Sequence, residues 1–265
     1  MTSADTQIVM PPATPETEKR GGDSCPAICS GFRVYHEEAG IRIFHGDSRE
    51  IVPTLGGFDL LLTDPPYGIK QDAGMGGGGY DGFGGGKKRT PKAYAGGWDD
   101  TTPDMELMRV CLEACRTHIV WGGNYLSAML PQKPKWLVWD KEQTMPTYSD
   151  AELAWTTLPG VAVKMLRYNG SGLMAKEKSR QHPTQKPLNL MLWCLQLAGD
   201  VRTVLDPFGG SGTTARACKD LGKQCVLIER EERYCEIAAK RLAQDVLPLG
   251  IPNAGLSHGE GGKKS

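Results

Sequence analysis

Short runs of consecutive apolar residues recur along the chain and alternate with stretches in which apolar positions return every three or four residues. Runs of the first kind, at 41–44, 60–63, 119–121, 136–139, 153–156, 203–205 and 226–228, predict strands covered on both faces. A strand with one solvated face would alternate polar and apolar residues instead. The second pattern predicts helices at 103–115, 188–197, 213–221 and 231–244, the last with Tyr234, Ile237, Ala238, Arg241 and Leu242 at helical spacing. Strands and helices alternate, so the expected class is α/β: one domain at 31–247 with a seven-stranded, mostly parallel sheet and helices on both faces.

Three stretches fall outside this pattern. Residues 1–30 and 248–265 are polar and aperiodic, and are expected to be a disordered arm and tail. Between 74 and 97 eleven residues are glycine, interrupted by Tyr80, Phe83, Lys87, Lys88, Arg89 and Lys92. Such a stretch cannot pack by itself; a tolerated insertion and a mobile lid both fit it.

Composition narrows the class. The 265 residues can bury a proper core, and no apolar run approaches the ~18 residues of a membrane span. The polar, proline-containing first 20 residues do not resemble a signal peptide, so the expected location is the cytoplasm. Eight scattered cysteines show no disulfide framework and read as reduced thiols; Cys111 and Cys115 share the face of a predicted helix. Cys25, Cys29 and His36 make half a zinc site without a second pair, and no metal is expected. Net charge is zero, but from 164 to 186 six basic residues (Lys164, Arg167, Lys176, Lys178, Arg180, Lys186) stand against Glu177 alone. That cluster fits either a solvated loop or a phosphate-facing surface.

Two motifs carry chemistry. The apolar run at 60–63 ends in Asp64-Pro65-Pro66-Tyr67, and prolines there remove backbone donors and leave carbonyl oxygens free for a ligand. The run at 203–205 leads into Asp206-Pro207-Phe208-Gly209-Gly210-Ser211-Gly212-Thr213, a glycine-rich turn that opens a helix. Its free amides and close backbone suit a nucleotide-like ligand at the carboxyl end of a strand, and Glu229, at the tip of the next strand, suits ribose hydroxyls. A nicotinamide dinucleotide would use the same devices, although Gly209-Gly210-Ser211-Gly212 lacks the full dinucleotide spacing.

Asp64-Pro65-Pro66-Tyr67, the Asp206 motif, and His182-Pro183-Thr184-Gln185-Lys186-Pro187 ahead of it together resemble the S-adenosylmethionine-dependent DNA amino-methyltransferases. The catalytic motif precedes the cofactor motif, as in the permuted β group of that family. The resemblance spans about 41–242 and implies a Rossmann-like methyltransferase fold. It implies that Asp206, Phe208, Gly209, Gly210, Ser211, Gly212, Thr213 and Glu229 bind S-adenosylmethionine, with Thr184 and Lys186 beside its methionine end. Asp47 stands where the family places an acid near the adenine; a helix N-cap is the other reading of that residue. It also implies double-stranded DNA as partner, a small target-recognition region at about 141–181, and a monomer or homodimer.

The chemistry of the first motif follows. An exocyclic base amine is a poor nucleophile because its lone pair is delocalised into the ring. If Asp64 and the Pro65 carbonyl each accept one of its hydrogens, the nitrogen is drawn toward tetrahedral geometry. A base inside a duplex must rotate out to reach such a site, and Tyr67 offers a ring on which it stacks. Aspartate at the first position goes mostly with adenine N6 in the resembling family, and N4-cytosine methylation is the alternative. Methylation of RNA or a protein amide, and a non-catalytic nucleic-acid-binding module retaining the fold, are further alternatives. Lys87, Lys88, Arg89, Lys164, Arg167, Lys176, Lys178 and Arg180 are the candidate phosphate contacts.

Overall fold

All seven expected strands lie side by side in the middle of one sheet, in a computed structural model that describes residues 32–68, 102–132, 135–143, 149–169 and 185–244. The expected arm, tail and glycine-rich stretch lie outside the described residues. The strands are β1 (Val34–Glu38), β2 (Ile41–His45), β3 (Phe58–Thr63), β4 (Cys115–Trp121), β5 (Trp136–Asp140), β6 (Ala151–Thr156), β7 (Val163–Arg167), β8 (Thr203–Asp206) and β9 (Gln224–Glu229). Their order is β1-β2-β9-β8-β3-β4-β6-β5-β7. Five of the eight pairings are parallel, so the sheet is mostly parallel; the exceptions are β1 with β2 and both neighbours of β6.

The described sheet therefore has nine strands where seven were expected. Both additions are edge strands, β1 and β7. An edge strand needs no apolar run: β1 alternates half-buried and exposed positions, and β7 is exposed at four of its five.

Helices cover both faces. On one, α3 (Leu188–Ala198), α4 (Thr213–Asp220) and α5 (Glu232–Leu242) pack on Ile43, Leu60, Leu62 and Leu227. On the other, α1 (Ser48–Ile51) and α2 (Met105–Glu113) pack on Phe44, Leu61, Val120 and Ile228. Within β3, Leu60 and Leu62 face one core and Leu61 the other, the period of two that a doubly covered strand requires. Helix α2 is shorter than expected, because Cys115 already begins β4 and so does not share a helix face with Cys111.

Asp59 ties the starts of β3 and β8 together. Its Oδ2 accepts the Arg202 and Thr203 amides and the Thr203 hydroxyl, each at 3.0 Å, while the Asp59 amide donates back to Thr203 Oγ1 at 2.9 Å. Burial pushes this carboxyl up, but those donors and Arg116 outweigh it and hold it below its ordinary value. Asp59→Ala is expected to cost about 2 kcal/mol in urea unfolding at neutral pH. Because the folded-state value is the lower one, the stabilisation is present above the unfolded value and lost as the pH falls below about 4. The difference between wild type and variant should therefore shrink in acid.

Candidate active site

The carboxyl ends of β2, β3, β8 and β9 share one edge of the sheet, and they open onto a single cavity of about 450 Å³, within the usual range for a ligand site. Asp64 and Pro66 form part of its wall, together with Asp47, Lys186, Asp206, Phe208, Gly209, Gly210, Ser211, Thr213 and Glu229. Both sequence motifs thus meet in one space. Pro65 is buried, and Tyr67 lies behind the wall. Thr184 falls outside the described residues.

The cofactor-motif residues hold the turn in shape. Asp206 Oδ1 accepts the Thr63 hydroxyl at 2.8 Å and the Phe208 amide at 3.2 Å, and burial raises this carboxyl to about 6. Glu229 accepts the Gly210 amide at 2.8 Å and the Glu231 amide at 2.7 Å; burial raises it as well. Ser48 donates to the Pro207 carbonyl at 2.5 Å, and the Gly209 amide to the Ile228 carbonyl at 2.9 Å. A Cβ on Gly209 would stand 2.2 Å from Leu227 Cδ2, so the turn can lie this close to β9 only without a side chain.

Two residues have structural duties. Gly212 is absent from the wall; a Cβ there would lie 2.6 Å from the Ala238 Cβ, so it serves the approach of α5 to α4. Asp47 satisfies its second reading, capping α1 by accepting the Arg49 amide at 2.9 Å, and it reaches the wall paired to the Arg49 side chain at 2.8 Å.

Lys186 lines the same cavity, and its ammonium reaches both oxygens of Asp64 at 2.7 Å and the Tyr67 hydroxyl at 3.0 Å. It also lies 3.0 Å from Glu152 Oε2, whose other oxygen meets Lys141 at 2.6 Å. The Tyr67 hydroxyl donates to Asp64 Oδ1. Burial pushes the Asp64 carboxyl up, against the opposing pull of Lys186. Burial disfavours the Lys186 charge, yet Asp64 and Glu152 overcome it and hold the ammonium firmly protonated. Glu152 is likewise penalised by burial, but Lys186 and Lys141 bring it down to about 2.

Glu152 and Lys141 did not emerge from the sequence as site residues. Strand β6 runs antiparallel, so its start, not its end, lies at the active edge beside the end of β5. The available signal was an acid inside the apolar stretch Ala151–Thr156.

Tyr67 is fixed by two neighbours. Tyr125 stacks on it with ring centroids 5.2 Å apart and planes inclined by 19°. Gly122, at φ +70°, passes so close that a Cβ would stand 2.0 Å from the Tyr67 ring. Trp121 and Trp139 are buried in the core, and Asn124 is exposed.

Lys164 and Arg167 lie on edge strand β7, both exposed, with Arg167 also 3.3 Å from Asp140. Lys87, Lys88, Arg89, Lys176, Lys178 and Arg180 fall outside the described residues, as do Cys25 and Cys29. Among the described residues no three metal-ligating side chains cluster, and no helix is long and apolar enough to cross a membrane.

Residues 132–240 match the N6/N4 methyltransferase family model, described as DNA methylase. The type II methyltransferase M2.LlaDCHI of Lactococcus lactis subsp. cremoris is 26% identical over 257 aligned residues, 79% of this chain and 92% of that one. The type II methyltransferase M.HinfI of Haemophilus influenzae is 40% identical over 70 residues, 26% of this chain and only 20% of that enzyme. The chain is thus similar to the amino-methyltransferase family of DNA methylases, by the family model over residues 132–240 and by relatives such as M2.LlaDCHI over most of its length. Its fold is that of solved DNA methyltransferases. The M1.HpyAVI–SAM complex superposes with a TM-score of 0.53 at 24% identity, covering 77% of this chain and all of that one. The cytosine-N4-specific PvuII DNA methyltransferase gives 0.53 at 14% identity, covering 81% and 92%.

Gly122→Ala should displace Tyr67, lowering stability by about 2 kcal/mol and altering the near-ultraviolet circular dichroism of the Tyr67–Tyr125 pair. An unchanged spectrum and melting temperature would show that the ring tolerates the extra carbon.

Proposed function

We propose that this chain is a DNA methyltransferase that transfers a methyl group from S-adenosylmethionine to the N6 amine of an adenine rotated out of the duplex. The observation that carries the reading is the shared cavity: Asp64 and Pro66 line the same space as the glycine-rich turn and Glu229.

The wall suits that cofactor. Six acids (Asp47, Asp64, Asp104, Asp206, Glu229, Glu231) face it against three bases (Arg49, Lys186, Arg230). Arg49 is paired to Asp47 and Asp104, and Lys186 to Asp64 and Glu152. An acid-rich wall favours a sulfonium cation and ribose hydroxyls and disfavours the pyrophosphate of a nicotinamide dinucleotide. Glu229, its oxygens already oriented by two amides, would take the ribose; Asp47 would stand toward the adenine and the turn from Phe208 to Ser211 along the sugar and methionine.

When bound, S-adenosylmethionine supplies an electrophilic methyl group on positively charged sulfur. The chain's own residues position the acceptor. Asp64 and the Pro65 carbonyl would hold the amine in line with that methyl, and near-attack placement of this kind can lower a barrier by about 7–11 kcal/mol. Asp64 opposes the positive charge that develops on nitrogen, so it need not act as a strong base. Tyr67, held by Gly122 and Tyr125, supports Asp64 from behind the wall through its hydroxyl. Duplex DNA is the proposed partner, with Lys164 and Arg167 among its phosphate contacts and the segment at 141–181 as a short sequence reader.

Labelled methyl donor offered to DNA, RNA and protein in parallel should label DNA. Asp64→Ala should lower the rate at least about 100-fold. Nucleoside analysis of the product should give N6-methyladenine. N4-methylcytosine would replace the adenine reading, which the cytosine-N4-specific fold relative keeps as the second one. Glu229→Ala should weaken binding of the methyl donor by about tenfold or more in calorimetry, the loss of a charge-assisted hydrogen bond.

A further inference from the structure

Asp64 presents a difficulty for the reading above, on which this inference rests. The amine it should grip needs an acceptor, and three of the roughly four acceptor positions of the carboxylate are already engaged, two by Lys186 at 2.7 Å each and one by the Tyr67 hydroxyl at Oδ1. An ammonium and a base amine are both N–H donors, so Lys186 competes with the substrate nitrogen for Asp64.

The surroundings show how that competition can be relieved. An ammonium has three hydrogens, whereas Lys186 Nζ has four oxygens within reach: two of Asp64, one of Tyr67 and Glu152 Oε2. Glu152 Oε2 is the neglected one. It is fully buried and receives no aligned hydrogen bond, although Nζ stands only 3.0 Å away. Buried carboxylate oxygens are seldom left in that condition. Glu152 itself is anchored by Lys141 at 2.6 Å through its other oxygen, so it stays in place while Lys186 moves.

We propose that Lys186 and Glu152 form a positioning pair: Lys186 holds the Asp64 carboxylate charged and aimed at the mouth, then releases one of its oxygens to the target amine by turning a hydrogen to Glu152 Oε2. Neither is a catalytic residue, since both act through Asp64. The pair also explains why Lys186, though set in a basic stretch, offers no charge to phosphate: its side chain is 6% exposed and its charge is spent inside.

The groups that face Asp64 are Lys186, Tyr67, Glu152 and, across the cavity, Asp206. Removing Lys186 leaves burial and two acids acting on Asp64 without their cation. Removing the charge of Glu152 does the reverse, drawing Lys186 fully onto Asp64. The two changes should therefore move the Asp64 titration in opposite directions while both impair turnover.

The test is a carbon-13 carboxyl titration of aspartate-labelled protein, with the Asp64 signal assigned by Asp64→Asn, alongside steady-state kinetics on DNA. In Lys186→Met the Asp64 midpoint should rise by at least one pH unit, and kcat should fall with its acidic limb shifted up. In Glu152→Gln the midpoint should fall, yet kcat should drop about tenfold with KM for the methyl donor within twofold. Lys186→Arg, which keeps the charge, should restore the wild-type midpoint. An unmoved Asp64 titration in Lys186→Met overturns the proposal. So does normal kcat with raised KM for the methyl donor, which would make Lys186 a cofactor ligand. If Lys186→Met does not fold, unchanged kcat in Glu152→Gln overturns it alone. A wild-type protein that methylates nothing would sink the functional reading, while the titrations would still decide whether the pair governs the state of Asp64.

Discussion

A carboxylate enclosed at the end of a parallel sheet must be neutralised, and the means by which Asp64 is neutralised organises the groups around it. Lys186 compensates it, but a buried ammonium between one acid and apolar walls would carry its own penalty. Glu152 and then Lys141 extend the alternation of charge outward, giving two acids and two bases in a chain of contacts of 3.0 Å or less. Such networks are stable only when every member keeps a partner. That requirement draws together residues from β3, β5, β6 and the segment before α3.

The same edge of the sheet joins this network to the glycine-rich turn. Thr63, the residue before Asp64, donates to Asp206, and Gln185, the residue before Lys186, accepts from the Ser211 hydroxyl at 3.2 Å. Each half of the proposed reaction site is thereby bonded to the other through immediate chain neighbours. A displacement of the turn by ligand would be felt at Asp64 through one covalent step and one hydrogen bond. Short polar links between rigid strand ends are how a site keeps reacting atoms in register to within a fraction of an ångström.

The permuted order of the motifs has no effect on this geometry. Strands β3 and β8 are neighbours in the sheet although more than 140 residues separate Thr63 from Asp206 along the chain. What the fold conserves is the adjacency of strand ends. Asp59 and Thr203 fasten one end of that pair of strands, and Thr63 and Asp206 fasten the other.

The chain's pattern was enough to reveal the seven inner strands, the alternation with helices and both motifs, because each of these is local. A strand buried on both faces must be apolar throughout, as Leu60, Leu61 and Leu62 are, and a tight ligand-facing turn must be rich in glycine. Strands β1 and β7 escaped notice because an edge needs no such run. The partners of Asp64 escaped for a different reason. Lys186 read as a cofactor contact at the end of a basic stretch and Glu152 was not singled out, since nothing local distinguishes a buried charge from a solvated one. Only the antiparallel course of β6, which brings its first residues to the edge where its neighbours end, sets Glu152 against Lys186. Contacts between residues so far apart in the chain arise from strand order and direction, and these are properties of the assembled sheet.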